Sequence, residues 1–179
     1  MLRLRAMSIS RAVAVSISGV CLSLLIVSRS AGAQQQAAAE PTLQVTGSVA
    51  TPLTLSSRDL KTMPRSAVTL KEEGRDVKYE GVLVGTILAR AGAALGRDLT
   101  GAAVASYVIA SASDGYRAVF SLAELDPAFT GSEIIVADTV DGKPLFEYQG
   151  PFRIVAPHDT RGARGVRMLQ KLEVVRLPR

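Results

Sequence analysis

The sequence predicts an α+β domain built on a mixed or antiparallel sheet with a few short helices. Three observations carry this expectation. Short runs of apolar residues alternate with polar ones along most of the chain. Helical spacing is confined to brief stretches, and glycine or proline turns separate the runs. Many short strands interrupted by few helices is the pattern of an α+β fold.

The elements follow in order. Leu43, Val45 and Val49 open a strand-like run. Ser56, with Asp59 three residues on, is a capping signal for a short helix that Pro64 ends. Val68 and Leu70 lead into Glu73-Gly74, and Val77 and Tyr79 lead out, which reads as a β-hairpin with an exposed charged end at Lys71-Glu72-Glu73. Val84, Ile87, Leu88 and Ala91 recur at i, i+3, i+4 and i+7, an amphipathic helix expected to run out near Gly96. Residues 106–112 form a buried strand, Asp114-Gly115 a turn, and Tyr116, Ala118 and Phe120 a second strand. Ser121 to Glu124 is a capping box for a helix that must stop before Pro127. Ile134 to Ala137 is a short strand, and Asp141-Gly142-Lys143-Pro144 a turn. Phe152, Ile154 and Val155 form the next strand, and a polar arginine-glycine loop spans 158–165. Leu172, Val174, Val175 and Leu177 close the chain as a strand.

The N-terminus has a different character. Arg3, Arg5 and Arg11 precede an apolar stretch from Ala12 to Val27, and Ala31-Gly32-Ala33 supplies small residues at a cleavage site. This is the pattern of a secretory signal peptide over residues 1–33, with Gln34 as the first mature residue. The stretch is short and serine-rich for a membrane span, and no twin-arginine pair occurs. The expected location is therefore periplasmic or secreted, with no membrane attachment after cleavage. Residues 34–42 read as a flexible lead-in, and one domain occupies 43–179.

Composition excludes several classes. Four of the 21 basic residues fall in 1–33, so 17 basic face 16 acidic residues in the mature chain, a net charge of +1. The basic balance of the whole sequence comes from the signal and gives no reason to expect nucleic acid as a partner. The one cysteine, Cys21, lies in the signal stretch, so the mature chain has no thiol for a disulfide, a metal or a nucleophile. There is no Gly-x-Ser-x-Gly elbow, no P-loop and no tryptophan. His158 is the sole histidine, beside Asp159, and no second ligand stands at metal spacing. It is a candidate site residue because it sits in a loop, where function concentrates; the alternative is a locally bonded loop histidine. Arg153, inside an apolar strand, is expected to pair with a carboxylate such as Glu147 or Asp114.

Tyr79-Glu80-Gly81-Val82 and the helix reaching Leu88-Ala89-Arg90-Ala91-Gly92 resemble the aromatic-x-Gly-Val segment and leucine-rich helix of the sulfite-oxidase-type molybdopterin-binding domain family. Ser113-Asp114-Gly115-Tyr116 resembles its Ala-Asp-Gly-Tyr turn, and Asp141-Gly142-Lys143-Pro144-Leu145 its Asn-Gly-x-Pro-Leu turn. Gly150 to Pro157 resembles Gly-x-Pro-Leu-Arg-Leu-Val-Val-Pro, and Gly162-Ala163-Arg164-Gly165-Val166-Arg167 stands where the family carries Gly-x-Lys-x-Val-Lys. These motifs keep the family's order over residues 47–175.

The resemblance implies the family's fold and, as cofactor, molybdopterin. It implies a site in which Arg161, Arg164 and Arg167 meet the cofactor's phosphate and Asp114 and Tyr116 form a rim. It also implies a metal-ligating cysteine within the segment matching Val68–Tyr79, where this chain has Thr69, Lys71, Glu72, Glu73 and Gly74. A carboxylate does not replace a soft thiolate without changing the metal chemistry. Three functions follow as expectations. One is a non-catalytic exported protein that binds a pterin-type or other phosphate-bearing anion, or serves a periplasmic redox partner protein. The second is a molybdopterin oxidoreductase with atypical metal ligation, and the third is a protein-interaction module reusing the fold.

Overall fold

A computed structural model describes residues 40–178 apart from Ser132, all within the unit that spans Ala38–Arg179. The signal stretch, its cleavage site and Cys21, and most of the lead-in, lie outside the described residues.

The chain opens with β1 (Thr42–Gly47) and β2 (Leu53–Ser56), then α1 (Ser57–Lys61). The run predicted to reach Val49 ends at Gly47, whose φ of +89° turns the chain against the carbonyl of Val174. The strand β2 has no counterpart in the sequence reading. Ser56 caps α1 as expected: its hydroxyl accepts from the Asp59 amide at 3.2 Å, and the Asp59 carboxylate accepts from the Ser56 amide at 2.8 Å.

β3 (Ser66–Glu72) and β4 (Arg75–Leu83) form the expected hairpin. Glu73 and Gly74 both take positive φ, the conformation that matches a two-residue turn to strand twist. α2 (Val84–Arg90) buries Val84, Ile87 and Leu88. It stops at Ala91, short of Gly96, because Gly92 adopts φ +72° and the Ala91 and Gly92 carbonyls turn to accept from Thr51 and Ala50.

β5 (Tyr107–Ala112) and β6 (Arg117–Ser121) pair across the Asp114-Gly115 turn. Ser121 caps α3 (Leu122–Leu125), but the Glu124 carboxylate turns to Arg164 rather than back to the cap. The helix stops before Pro127 as expected, and Pro127 then begins a further turn, α4 (Pro127–Thr130), with Asp126 as its cap. β7 (Ile135–Val140), longer than predicted, turns at Asp141-Gly142 into the two-residue β8 (Lys143–Pro144). β9 (Arg153–Val155) and β10 (Leu169–Val175) follow, with Leu177 beyond the last strand.

These strands make two sheets rather than one. The first has the order β2-β1-β10-β5-β6, in which β1 and β10 run parallel and the other pairs antiparallel. The second is antiparallel, β3-β4-β7-β8, with β9 also on β7. The main core combines Leu43, Val45, Val108, Phe120 and Leu172 of the first sheet, Leu60 and Leu88 of the helices, and Val136 and Ile154 of the second sheet. Each such buried side chain contributes roughly 1.5–3 kcal/mol. The opposite face of the second sheet carries a smaller cluster, where Val68, Val77, Tyr79, Ile135, Ala137 and Val155 meet. Neighbours in β7 thus face opposite ways, as a strand requires.

Candidate functional site

The arginine loop between β9 and β10 contains one 3-10 turn, Gly162–Arg164. It is fixed at its root. Val166 is fully buried and its carbonyl accepts from the Ile154 amide at 2.8 Å, while Met168 and Leu169 donate to Gln149 and Phe152. Together with the β5–β6 turn the loop encloses a concavity of about 260 Å³ lined by Asp114, Tyr116, Gly162, Ala163, Gly165 and Arg167. Asp114 accepts from the Tyr116 amide at 2.9 Å, and the Tyr116 hydroxyl donates to the Ala163 carbonyl. The fold therefore joins three predicted residues, Asp114, Tyr116 and Arg167, on one surface.

It places the other three elsewhere. Arg161 is exposed at the start of the 3-10 turn. Arg164 lines a separate concavity of about 210 Å³ with Glu124, His158 and Asp159. Its Nε and Nη2 donate to Asp159 at 2.9 and 2.5 Å, its Nη1 donates to Glu124 at 2.6 Å, and its guanidinium lies 4.9 Å above the Phe120 ring. The Asp159 hydrogen bonds, partly opposed by burial and reinforced by Glu124, raise the Arg164 pKa further. Three of its five N–H donors go to carboxylates, so an incoming phosphate would compete with Asp159 and Glu124. His158 stands 3.9 Å from Glu133, both exposed, and not with Asp159, whose carboxylate Arg164 takes.

A third concavity, about 360 Å³, escaped the sequence reading. Glu72, Arg75, Tyr148, Gln149 and Arg167 line it, with Tyr79 at its base, and Arg167 is the wall it shares with the Asp114–Tyr116 surface. Beside it lies Arg153, only 6% exposed. Its Nη2 donates to Glu72 at 3.0 Å, and its Nη1 to the Tyr79 hydroxyl at 2.5 Å and to Gln149 at 3.2 Å. The partner is thus Glu72 rather than Glu147 or Asp114, and the supposedly exposed hairpin end is half anchored. Alternation could have shown it: Val68, Leu70 and Glu72 share one face of β3, and that face is the packed one. Tyr79 donates in turn to Glu72 at 3.1 Å. Burial, reinforced by Glu72 and opposed by Arg153, raises its phenol pKa, so it stays protonated at neutral pH.

The electrostatics of Arg167 differ from those of Arg164. It is exposed, lies 5.7 Å over the Tyr148 ring, and forms no ion pair among the described residues. Phe146 and Tyr148 stack beside it, 5.9 Å between centroids, both more than half exposed. Among the described residues no three His, Cys, Asp or Glu side chains stand together as metal ligands.

A two-sheet α+β fold carrying a glycine-arginine loop beside an Asp-Gly-Tyr turn defines an oxidoreductase-like domain of the molybdopterin-binding type. Residues 31–179 match the family described as "Oxidoreductase molybdopterin binding domain", and the chain belongs to it. The fold is similar to the crystal structure of the sulfane dehydrogenase SoxCD from Paracoccus pantotrophus, with a TM-score of 0.60 and 20% sequence identity. That likeness covers 75% of this chain and 38% of the SoxCD chain, so the protein spans well under half of the solved chain it matches. No curated protein sequence matches it.

The donor set fits only part of the family's cofactor. Arg167 and the open space beside Gly162 suit a phosphate, whereas the Gly165 amide is already donated to the Gly162 carbonyl at 3.0 Å. The hairpin offers ammonium and carboxylate groups in the segment where the family resemblance implies a thiolate.

Proposed function

We propose that this is an exported, non-catalytic member of the family that binds a phosphate-bearing, pterin-type anion at the concavity walled by Arg167. The observation that carries the reading is the contrast between the two arginines of the loop: Arg164 is neutralised by Asp159 and Glu124, whereas Arg167 has no carboxylate partner among the described residues. An unneutralised guanidinium beside two glycines holds a phosphate by charge-assisted hydrogen bonds. Tyr116, bonded to Ala163, fixes the loop that presents it. No redox step is assigned to these residues, since the hairpin has no thiolate for the metal.

Export rests on the signal-like N-terminus, and no helix among the described residues is long and apolar enough to cross a membrane. Protein recovered after secretion should have the intact mass of a chain starting at Gln34; retention of residues 1–33 would refute cleavage there. A second role, docking to a periplasmic redox partner protein, is favoured by the exposed Phe146–Tyr148 stack, since aromatic and arginine side chains are enriched at interfaces.

The test is thermal unfolding in phosphate against chloride at equal ionic strength. Phosphate should raise the melting temperature by mass action on the folded state. Arg167→Ala should abolish the rise, while Arg161→Ala leaves it. Indifference to phosphate would refute the reading.

A further inference from the structure

The second sheet ends on β3, which pairs with β4 on one side and with no strand on the other among the described residues. An open strand edge presents backbone N–H and C=O groups that another strand can complete, and folds usually blunt it with brevity, proline or a bulge. The other outer strands are short: β2, β6, β8 and β9 have four, five, two and three residues. β3 has seven, from Ser66 to Glu72, with no proline and an unbroken register against β4. Its charges, Lys71 and Glu72, stand together at one end, and the Glu72 carboxylate turns to Arg153. On one face Ala67 and Thr69 are exposed; on the other Leu70 is only half-buried although it packs on the smaller cluster.

This edge is complementary to itself. When two copies of β3 lie antiparallel about a two-fold axis at Thr69, Thr69 meets its own counterpart. Val68 then meets Leu70, Ala67 meets Lys71 and Ser66 meets Glu72, each pair occurring twice. Apolar side chains face apolar ones, hydroxyl faces hydroxyl, and each charge faces a small residue. The neighbouring registers fail. An axis at Val68 sets Arg65 opposite Lys71, and an axis at Leu70 sets the Glu72 carboxylate opposite the buried Val68.

We propose that β3 is an interface for a second copy of this chain, in which two β3 strands pair antiparallel about Thr69 and join the two second sheets into one. The occupant is a copy rather than a foreign strand because the edge matches itself in one register and opposes itself in those beside it. A contact one strand wide falls below the roughly 1,200 Å² of tight complexes, so the dimer is weak and depends on concentration.

The experiment is sedimentation equilibrium of the secreted protein up to about 1 mM, with amide hydrogen exchange on the same samples. A monomer–dimer equilibrium should appear, and exchange over Ser66–Glu72 should slow as the dimer forms. Thr69→Glu, whose carboxylate faces Lys78 within its own chain, should keep the monomer's melting temperature. It should weaken dimerisation about tenfold or more, since two carboxylates then stand opposite each other across the axis. Thr69→Lys alone should be weakened likewise, and an equimolar mixture of the two variants should associate again. Wild type that stays monomeric at about 1 mM would overturn the proposal. So would equal dimerisation by Thr69→Glu, a mixture that fails to associate, or slowed exchange confined to strands other than β3.

Discussion

Asp159 grips Arg164 through two parallel hydrogen bonds, Nε to Oδ2 at 2.9 Å and Nη2 to Oδ1 at 2.5 Å. With Glu124 on the remaining nitrogen, Arg164 ties the loop to α3 and serves as scaffold. Arg164→Ala should therefore destabilise the protein without touching phosphate binding. The pair is partly open to solvent, 38% and 19% exposed, so screening limits the loss to about 1 kcal/mol. Chemical denaturation checks the loss, and phosphate-dependent melting checks the binding. Loss of the phosphate response in this variant would place Arg164 in the site after all.

Asp138 predicts the acid limb of stability. Its carboxylate accepts from Arg65 at 2.8 and 2.6 Å and is 7% exposed. Burial pushes its pKa up, but the Arg65 and Thr139 hydrogen bonds and nearby cations outweigh it, and the carboxyl ends below its ordinary value. A carboxyl whose pKa is lower folded than unfolded stabilises the fold above the unfolded value of about 4, and the contribution fades as pH falls through the folded value. Stability should thus drop below about pH 4. Asp138→Asn should lose about 2 kcal/mol at pH 7 and show a flatter decline in acid. Melts from pH 6 to pH 3 decide it; an acid limb of wild-type steepness in Asp138→Asn would assign it to other carboxyls.

Gly81 gives the aromatic-x-Gly-Val segment a physical meaning. A β-carbon there would sit 2.0 Å from the Val136 carbonyl oxygen and 2.6 Å from the Ala137 Cα, where β4 and β7 shift register. Both obstacles are backbone within a central strand pair, so neither can turn aside. Gly81→Ala should cost about 3 kcal/mol or more, the upper end of overpacking. Gly74→Ala meets no atom within 4 Å and is strained only through its φ of +80°, so it should be the milder change. Unfolding of the two variants side by side tests the order; equal losses would show that contact at Gly81 is not decisive.

Local chemistry made much of this fold legible. The Ser56–Asp59 cap, the Glu73-Gly74 turn and the α2 stripe each rest on residues close in sequence, and each stands where its residues indicate. The division into two sheets was not legible, because it depends on β1 pairing with β10 across the whole domain. The site follows the same rule. Asp114 and Tyr116 are neighbours held by a local turn, whereas the partners of Arg153 and Arg164 come from as far as 81 and 40 residues away. Sequence order suggested charge pairs within reach along the chain, and tertiary packing chose others.

The chemistry of the hairpin leads to the last expectation: the isolated protein carries no stoichiometric molybdenum and does not oxidise sulfite. Thiolate is a soft donor, and the segment from Val68 to Tyr79 contains none. Its nearest candidate, the Glu72 carboxylate, is a hard donor already bonded to Arg153 and Tyr79. Releasing it to a metal would leave a buried guanidinium without its anion, a cost on the order of 3–5 kcal/mol when one partner of a buried pair is lost. Anion binding at Arg167 needs none of this, so binding and catalysis are separable. Expression in a molybdenum-sufficient host, followed by elemental analysis and a sulfite-dependent electron-transfer assay, tests the point. Elemental analysis should find molybdenum far below one atom per chain in protein whose melting temperature still responds to phosphate. Stoichiometric molybdenum with sulfite turnover would establish atypical ligation and a catalytic role.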